Sequence, residues 1–205
     1  MDGLASIADF FFGGSDLKPK MSTTYNFFGN QSVMKKVNLT SRYDIERESQ
    51  EKKDYTIKVQ GTDGVYHLEV LASRVYRNIR RIFDYEDNRI GKMFGMEAYP
   101  HLDVKISAGK GGAFFLKNKA DPSVLIKSMT PGEYEVMKAF TEPFYKHLLL
   151  NPDTLIAPIL GIYKLQLRDD DSIEPIYFML MKSVFDTKAI LPHQKMMFFD
   201  LKGST

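Results

Sequence analysis

The stretch "SAGKGGAFF", Ser107 to Phe115, sets Gly109, Gly111 and Gly112 around one lysine, Lys110. Glycines let backbone N–H groups approach a ligand closely, and successive N–H groups can cup a phosphate. The spacing is not that of a Walker loop, whose Lys-Ser/Thr pair opens a helix, nor that of a dinucleotide fingerprint. Taken alone, a glycine-rich hairpin is more often a plain turn. Further along, Lys127 interrupts the apolar run "VLIKS". A lysine in a central strand must snorkel to water or meet an anion, because a buried unpaired ammonium is costly. The bland alternative is an edge-strand lysine facing solvent. A glycine loop, then a strand lysine, then a helix is more informative than any one part. Protein kinases use that order, with the lysine on nucleotide phosphates and on a helix glutamate.

The same logic asks for an inward carboxylate on the following helix, and Glu133 and Glu135 are available. At roughly 100° per residue, Glu133 shares a face with Val136, Met137 and Phe140, while Glu135 turns to the far side. Glu133 is therefore the better partner for Lys127. It is equally placed to cap its own helix, and both roles stay open. "FMLMKSVF", Phe178 to Phe185, is an apolar strand running into a short polar step, the form of a nucleotide hinge. Any buried strand with a turn would also match it.

The elements that must position these residues follow from periodicity. Leu68, Leu71, Val75, Ile79 and Ile82 recur at three- and four-residue steps and predict one helix with a buried face. Arg74, Arg77, Arg80 and Arg81 then fall on its opposite side, where they hold anionic lipid or simply face solvent. "LDVKIS", "AFFLK" and "SVLIKSM" predict three antiparallel strands, with "NKADP" as a turn. "TPGE" starts a helix well: Thr130 as N-cap, Pro131 in the first position and Glu133 where a capping box wants it. That helix is expected to break near Pro143 and resume to Leu150. "PILGIYKLQL", "PIYFMLMKSVF" and "HQKMMFFD" read as further strands. The expected fold is α+β, an antiparallel sheet with flanking helices.

Residues 1 to about 60 read differently. "STTYNFFGNQS" sets turn formers around aromatics, and "DIERESQEKKD", Asp44 to Asp54, is a dense charge run. The region is expected to be a tail or linker, partly disordered, with the globular domain over residues 61–205. The 205 residues carry 43% hydrophobic and 13% aromatic content, enough for a real core. A formal charge of +2 gives no argument for nucleic acid. Without cysteine, disulfides and thiolate metal sites are excluded, and a reducing compartment is compatible. "IADFFFGG" is far too short to span a bilayer and lacks a basic flank, so it is a poor signal peptide.

In order and spacing, "SAGKGGAFF", "VLIKSM", "NPDTLIAPILGIYKL", "PIYFMLMKSVF" and "FFDLKGST" resemble the phosphatidylinositol phosphate kinases. "VYRNIRRIF" resembles the helix that precedes that family's sheet. The resemblance covers roughly residues 65 to 205, and the DLKGST and NPDTL…GIY stretches are its specific parts. It implies a divergent kinase-like N-terminal lobe, with ATP and Mg²⁺ used to phosphorylate a phosphoinositide headgroup at the cytosolic face of a membrane. A phosphatidylinositol-4-phosphate 5-kinase is the type expected, and a homodimer is compatible with it. The resemblance maps Gly109, Lys110, Gly111 and Gly112 to the phosphate-covering loop and Lys127 to the ATP-binding lysine. It maps Ser183, Val184 and Phe185 to the adenine hinge. Asp200, Lys202, Gly203 and Ser204 fall in the signature at the mouth of the substrate site, with Lys202 the expected headgroup contact. Two departures stand out: Ala108 where the family usually has Pro, and Gly111 where it usually has Ser. In the family the catalytic and metal-binding aspartates lie downstream of the signature. The 205 residues are therefore expected to hold no metal ligands and to lack kinase activity alone. The competing reading is a noncatalytic module that binds a membrane or a partner through its arginine face and sheet.

Overall fold

The computed structural model describes residues 37, 39, 41–58, 65–106, 113–151, 153–167 and 173–184. The glycine loop 107–112, Phe185, the expected strand "HQKMMFFD" and the signature residues Asp200, Lys202, Gly203 and Ser204 lie outside them.

Seven strands form one antiparallel sheet: Lys52–Lys58 (β1), Val65–Leu71 (β2), Leu102–Ile106 (β3), Phe114–Asn118 (β4), Val124–Met129 (β5), Ile159–Leu167 (β6) and Ile176–Lys182 (β7). Their spatial order is β1-β2-β6-β7-β5-β4-β3. The helices are Arg42–Ser49 (α1), Ser73–Ile82 (α2), Asp87–Phe94 (α3) and Pro131–Leu150 (α4), with a short 3₁₀ turn at Met96–His101. The architecture is α+β, as expected. The meander β3-β4-β5 pairs as the alternating runs required, with Leu102 opposite Asn118 and Phe115 opposite Lys127.

Several expectations need correction. The ordered fold starts well before residue 61. Ser41 caps α1 by accepting the Asp44 N–H at 3.1 Å, Ile45 is fully buried, and β1 pairs with β2 along its whole length. One buried apolar residue, Ile45, with Glu48 tied to Arg47 and Arg74, is enough to seat a helix that looks solvated. The single helix expected over Leu68 to Ile82 is instead a strand and a helix. Leu68 and Leu71 are both wholly buried. Three apart on a strand, they lie on opposite faces, so that stretch of β2 is covered on both sides and mimics a helical step. Ala72, at φ 45°, turns the chain into α2. Nor does Pro143 break α4, which runs unbroken from Pro131 to Leu150. Helix α3, which buries Ile90, Met93 and Phe94, carried no recognised signal.

Helices α1, α2 and α4 pack on one another, and α2 lies against β6. Polar bonds fix that packing: the Tyr76 hydroxyl meets Thr141 Oγ1 at 2.9 Å, Asn78 Nδ2 donates to the Tyr145 hydroxyl, and that hydroxyl donates to the Leu39 carbonyl. Burial holds the Tyr76 and Tyr145 phenols protonated by pushing their pKa values up. The C-terminal half of α4 is thus sunk in the core through Thr141, Phe144, Tyr145, Leu148 and Leu149.

Candidate nucleotide-binding site

Lys127 sits on β5, an interior strand, between Phe115 of β4 and Met179 of β7. Residues directly opposite share a face, so the lysine rises from an otherwise apolar row. Its side chain is 29% exposed, so the ammonium reaches the edge of that row rather than being sealed in. The chain leaves β5 at Met129 and enters α4 at once. Thr130 Oγ1 accepts the Glu133 N–H at 3.2 Å, and the Glu133 carboxylate accepts the Thr130 N–H at 2.8 Å, a complete capping box.

The two carboxylate oxygens of Glu133 do different things. Oε2 takes the Thr130 N–H, and Oε1 faces Lys127 Nζ at 3.7 Å. Capping and pairing are therefore compatible, and the structure makes both. The Thr130 N–H, and secondarily the Lys127 ammonium, hold the Glu133 carboxyl below its usual range. At 3.7 Å the pair is an electrostatic contact and not yet a hydrogen bond, which leaves Lys127 able to engage an anion as well. Glu135 points elsewhere and pairs with Lys138 at 3.4 Å.

Strand β7 ends beside this row. Lys182 N–H donates to the Pro158 carbonyl and Ser183 N–H to the Ser123 carbonyl, at 2.9 and 2.8 Å. The Ser183 amide is thus consumed in anchoring the end of β7 and is not a free donor, while Val184 is 66% exposed. The chain joining β3 to β4, which carries Gly109 to Gly112, must start at Ile106 and return at Phe114, because those two residues pair. Phe114 N–H is tied to Ser128 Oγ at 2.8 Å, next to Lys127. Lysine, helix carboxylate, hinge entrance and the ends of the glycine segment therefore converge on the β3-β4-β5-β7 side of the sheet. The donor set suits an anionic group: one partly exposed ammonium with a carboxylate to steer it. Among the described residues no group of three or more histidine, aspartate or glutamate side chains is placed to hold a metal ion.

The four arginines do not form the expected face. Arg80 is buried; its Nε donates to Asp87 Oδ1 and its NH1 group to the Leu160 carbonyl, both at 2.7 Å. Arg74 reaches buried Glu48 at 2.9 Å, and Arg77 lies 3.6 Å from Asp87. Only Arg81 of the four has no partner among these contacts and is exposed. Arg80 sits about 120° round α2 from Arg74, under the side where β6 passes. Among the described residues, no helix is long and apolar enough to cross a membrane.

Two residues that matter to the site's geometry escaped the sequence reading, Tyr134 and Glu69. The Tyr134 hydroxyl donates to Glu69 Oε1, while Lys52 Nζ holds Glu69 Oε2 at 2.8 Å. Glu69 lies 65 residues before Tyr134 in the chain, and no local pattern announces such a contact.

The family model described as Phosphatidylinositol-4-phosphate 5-Kinase matches residues 98–205. Phosphatidylinositol 4-phosphate 5-kinase its3 of Schizosaccharomyces pombe is 31% identical over 134 residues, 65% of this chain and 17% of that protein. Phosphatidylinositol 4-phosphate 5-kinase 7 of Arabidopsis thaliana is 28% identical over 131 residues, 64% of this chain and 16% of that protein. The rat phosphatidylinositol 4-phosphate 5-kinase type-1 alpha is 23% identical over 140 residues, 68% of this chain and 23% of that protein. The chain thus spans about a sixth of the length of the first two relatives. With a match over more than half of its residues and a sheet and helix arranged as in a kinase N-terminal lobe, this chain belongs to the phosphatidylinositol-4-phosphate 5-kinase family.

Proposed function

We propose that the chain forms the ATP-binding part of a kinase that phosphorylates phosphatidylinositol 4-phosphate at the cytosolic face of a membrane. The observation that carries this is Lys127 on an interior strand, 3.7 Å from Glu133 on the helix that follows. Lys127 contacts the nucleotide phosphates, Glu133 steers it, and Gly109, Lys110, Gly111 and Gly112 cover the phosphates. Ser183, Val184 and Phe185 border the adenine, Ser183 through its carbonyl because its amide is already used. Lys202, within Asp200–Ser204, meets the headgroup phosphate. Phosphoryl transfer also needs metal and a group that positions the attacking hydroxyl. The 205 residues alone are expected to bind nucleotide without turnover.

Equilibrium ATP binding by the purified chain tests the reading, with Lys127→Ala as the probe. Weaker ATP binding by the variant, with unchanged sedimentation on liposomes containing phosphatidylinositol 4-phosphate, supports it. Liposome binding with no ATP binding by the wild-type chain refutes it in favour of a membrane-docking module.

A further inference from the structure

We infer that Tyr134 and Glu69 are positioning residues that set Glu133 against Lys127, so that the β1-β2 hairpin controls the ion pair. The inference rests on the reading of Lys127 and Glu133 as nucleotide-binding groups.

The first half of α4 buries little. From Pro131 to Phe140, Tyr134 is the sole buried residue, at 2% exposure. Pro131, Gly132, Glu133, Glu135 and Val136 are all exposed, and a side chain at Gly132 would meet nothing within 4 Å. The buried positions resume at Thr141 and continue to Leu149. Pro143, near the start of the second half, has no N–H to give the carbonyl four residues earlier. The helix is therefore anchored firmly behind residue 140 and held in front by partly buried Met137 and, as its one fully buried side chain, by Tyr134. That side chain belongs to the residue next to Glu133.

Tyr134 is gripped from three strands. Its ring lies 4.9 Å from that of Tyr177 on β7, and Lys52 Nζ of β1 sits 5.8 Å from its centroid. Its hydroxyl donates to Glu69 on β2. Lys164 of β6, directly opposite Glu69 in the ladder, adds a second positive charge. Burial alone would raise the Glu69 carboxyl. The hydrogen bonds from Lys52 and Tyr134 outweigh it, so Glu69 remains an ionised acceptor. A charge-assisted bond of this kind is directional as well as strong, so it fixes the rotation of the first turn. That rotation decides how far Glu133 Oε1 lies from Lys127. Glu69 falls before residue 98, where the family match begins.

The test reads Lys127 directly. Amine-acylation rates at Lys127 are followed by mass spectrometry in the full chain, together with amide hydrogen exchange over residues 131–140. The variants are Tyr134→Phe, Glu69→Gln and, as the reference for a lost pair, Glu133→Gln. Phe keeps the ring on Tyr177, and Glu69 keeps Lys52, so the sheet persists. The inference predicts that Tyr134→Phe and Glu69→Gln raise Lys127 labelling several-fold, toward the Glu133→Gln rate. Residues 131–140 should lose protection while 141–150 keep theirs. Wild-type labelling and protection in both variants would overturn it. ATP binding on the same proteins separates the two ideas. If the wild type binds no ATP but Lys127 still depends on Tyr134, the positioning stands and the nucleotide reading falls. If ATP binds and Lys127 ignores Tyr134, the positioning falls and the nucleotide reading stands.

Discussion

Glu133 shows how one carboxylate serves a helix and a site together. Its cap function needs only an oxygen, whereas its hold on Lys127 needs charge. Glu133→Gln keeps an acceptor for the Thr130 N–H, so its stability loss should be smaller than that of Thr130→Val, which removes the cap hydroxyl at a cost of about 1 kcal/mol. Urea unfolding of the two variants gives the comparison, and a larger loss in Glu133→Gln would show that the charge facing Lys127 carries the stability. At this scale the sequence was legible where one helix or strand decides the matter. The period of α4 separates Glu133 from Glu135 because both sit on the same cylinder, and it is Glu133 that faces Lys127. Tyr134 and Glu69 were not legible, because their bond joins residues far apart in the chain and depends on the strand order β1-β2-β6-β7.

Among the elements, β6 and α2 hold the centre of the sheet through a bulge. The register of β6 shifts between Ile159 and Gly161, and the freed Leu160 carbonyl accepts the Arg80 guanidinium. Arg80 also binds Asp87, in the first turn of α3, so one planar side chain links helix, strand and helix. A lysine has one ammonium and cannot reproduce that fork. Arg80→Ala should cost on the order of 3–5 kcal/mol, since it breaks a largely buried pair, and Arg80→Lys should fail to recover most of it. Arg81→Ala, one residue on, should stay within about 0.5 kcal/mol. Equal losses at the two positions, in denaturant unfolding, would sink this assignment. Gly161 is constrained by the same bulge: a Cβ there would come within 2.7 Å of ring carbons of Tyr163, which stacks on Phe178 at 5.2 Å. Gly161→Ala is expected to cost about 1–3 kcal/mol by overpacking. None of this could be read from the arginine spacing. A helix whose buried arc includes asparagine and arginine defeats a count of apolar positions, just as a strand buried on both faces passes for a helix.

At the scale of the molecule, the charges and phenols set the pH range over which the fold survives. Glu69, Asp121 and Glu133 are all held below the ordinary carboxylate range. For Glu69 and Asp121 burial opposes this, and hydrogen bonds from Lys52 and Tyr134, and from Ser123 and Arg89, prevail. For Glu133 the Thr130 N–H leads. A depressed native pKa means that the stabilising contribution is complete above the unfolded value, near pH 4, and is lost as the pH falls through the lower native one. The sign is opposite for the phenols. Burial raises Tyr76, Tyr145 and Tyr163, and burial with the Glu69 carboxylate raises Tyr134. Their contribution is complete below the unfolded value, about 10, and is lost as the pH rises toward the higher native ones. Melting temperature should therefore be flat through neutrality, fall below about pH 4 and fall again above about pH 10. Glu69→Gln should make the acid limb shallower and leave the alkaline limb in place, apart from the share carried by Tyr134. Phenolate absorbance gives the second check. The buried tyrosines should ionise only together with loss of the folded signal, whereas a single ordinary titration of all the phenols in a chain that stays folded would contradict the packing of α2 against α4.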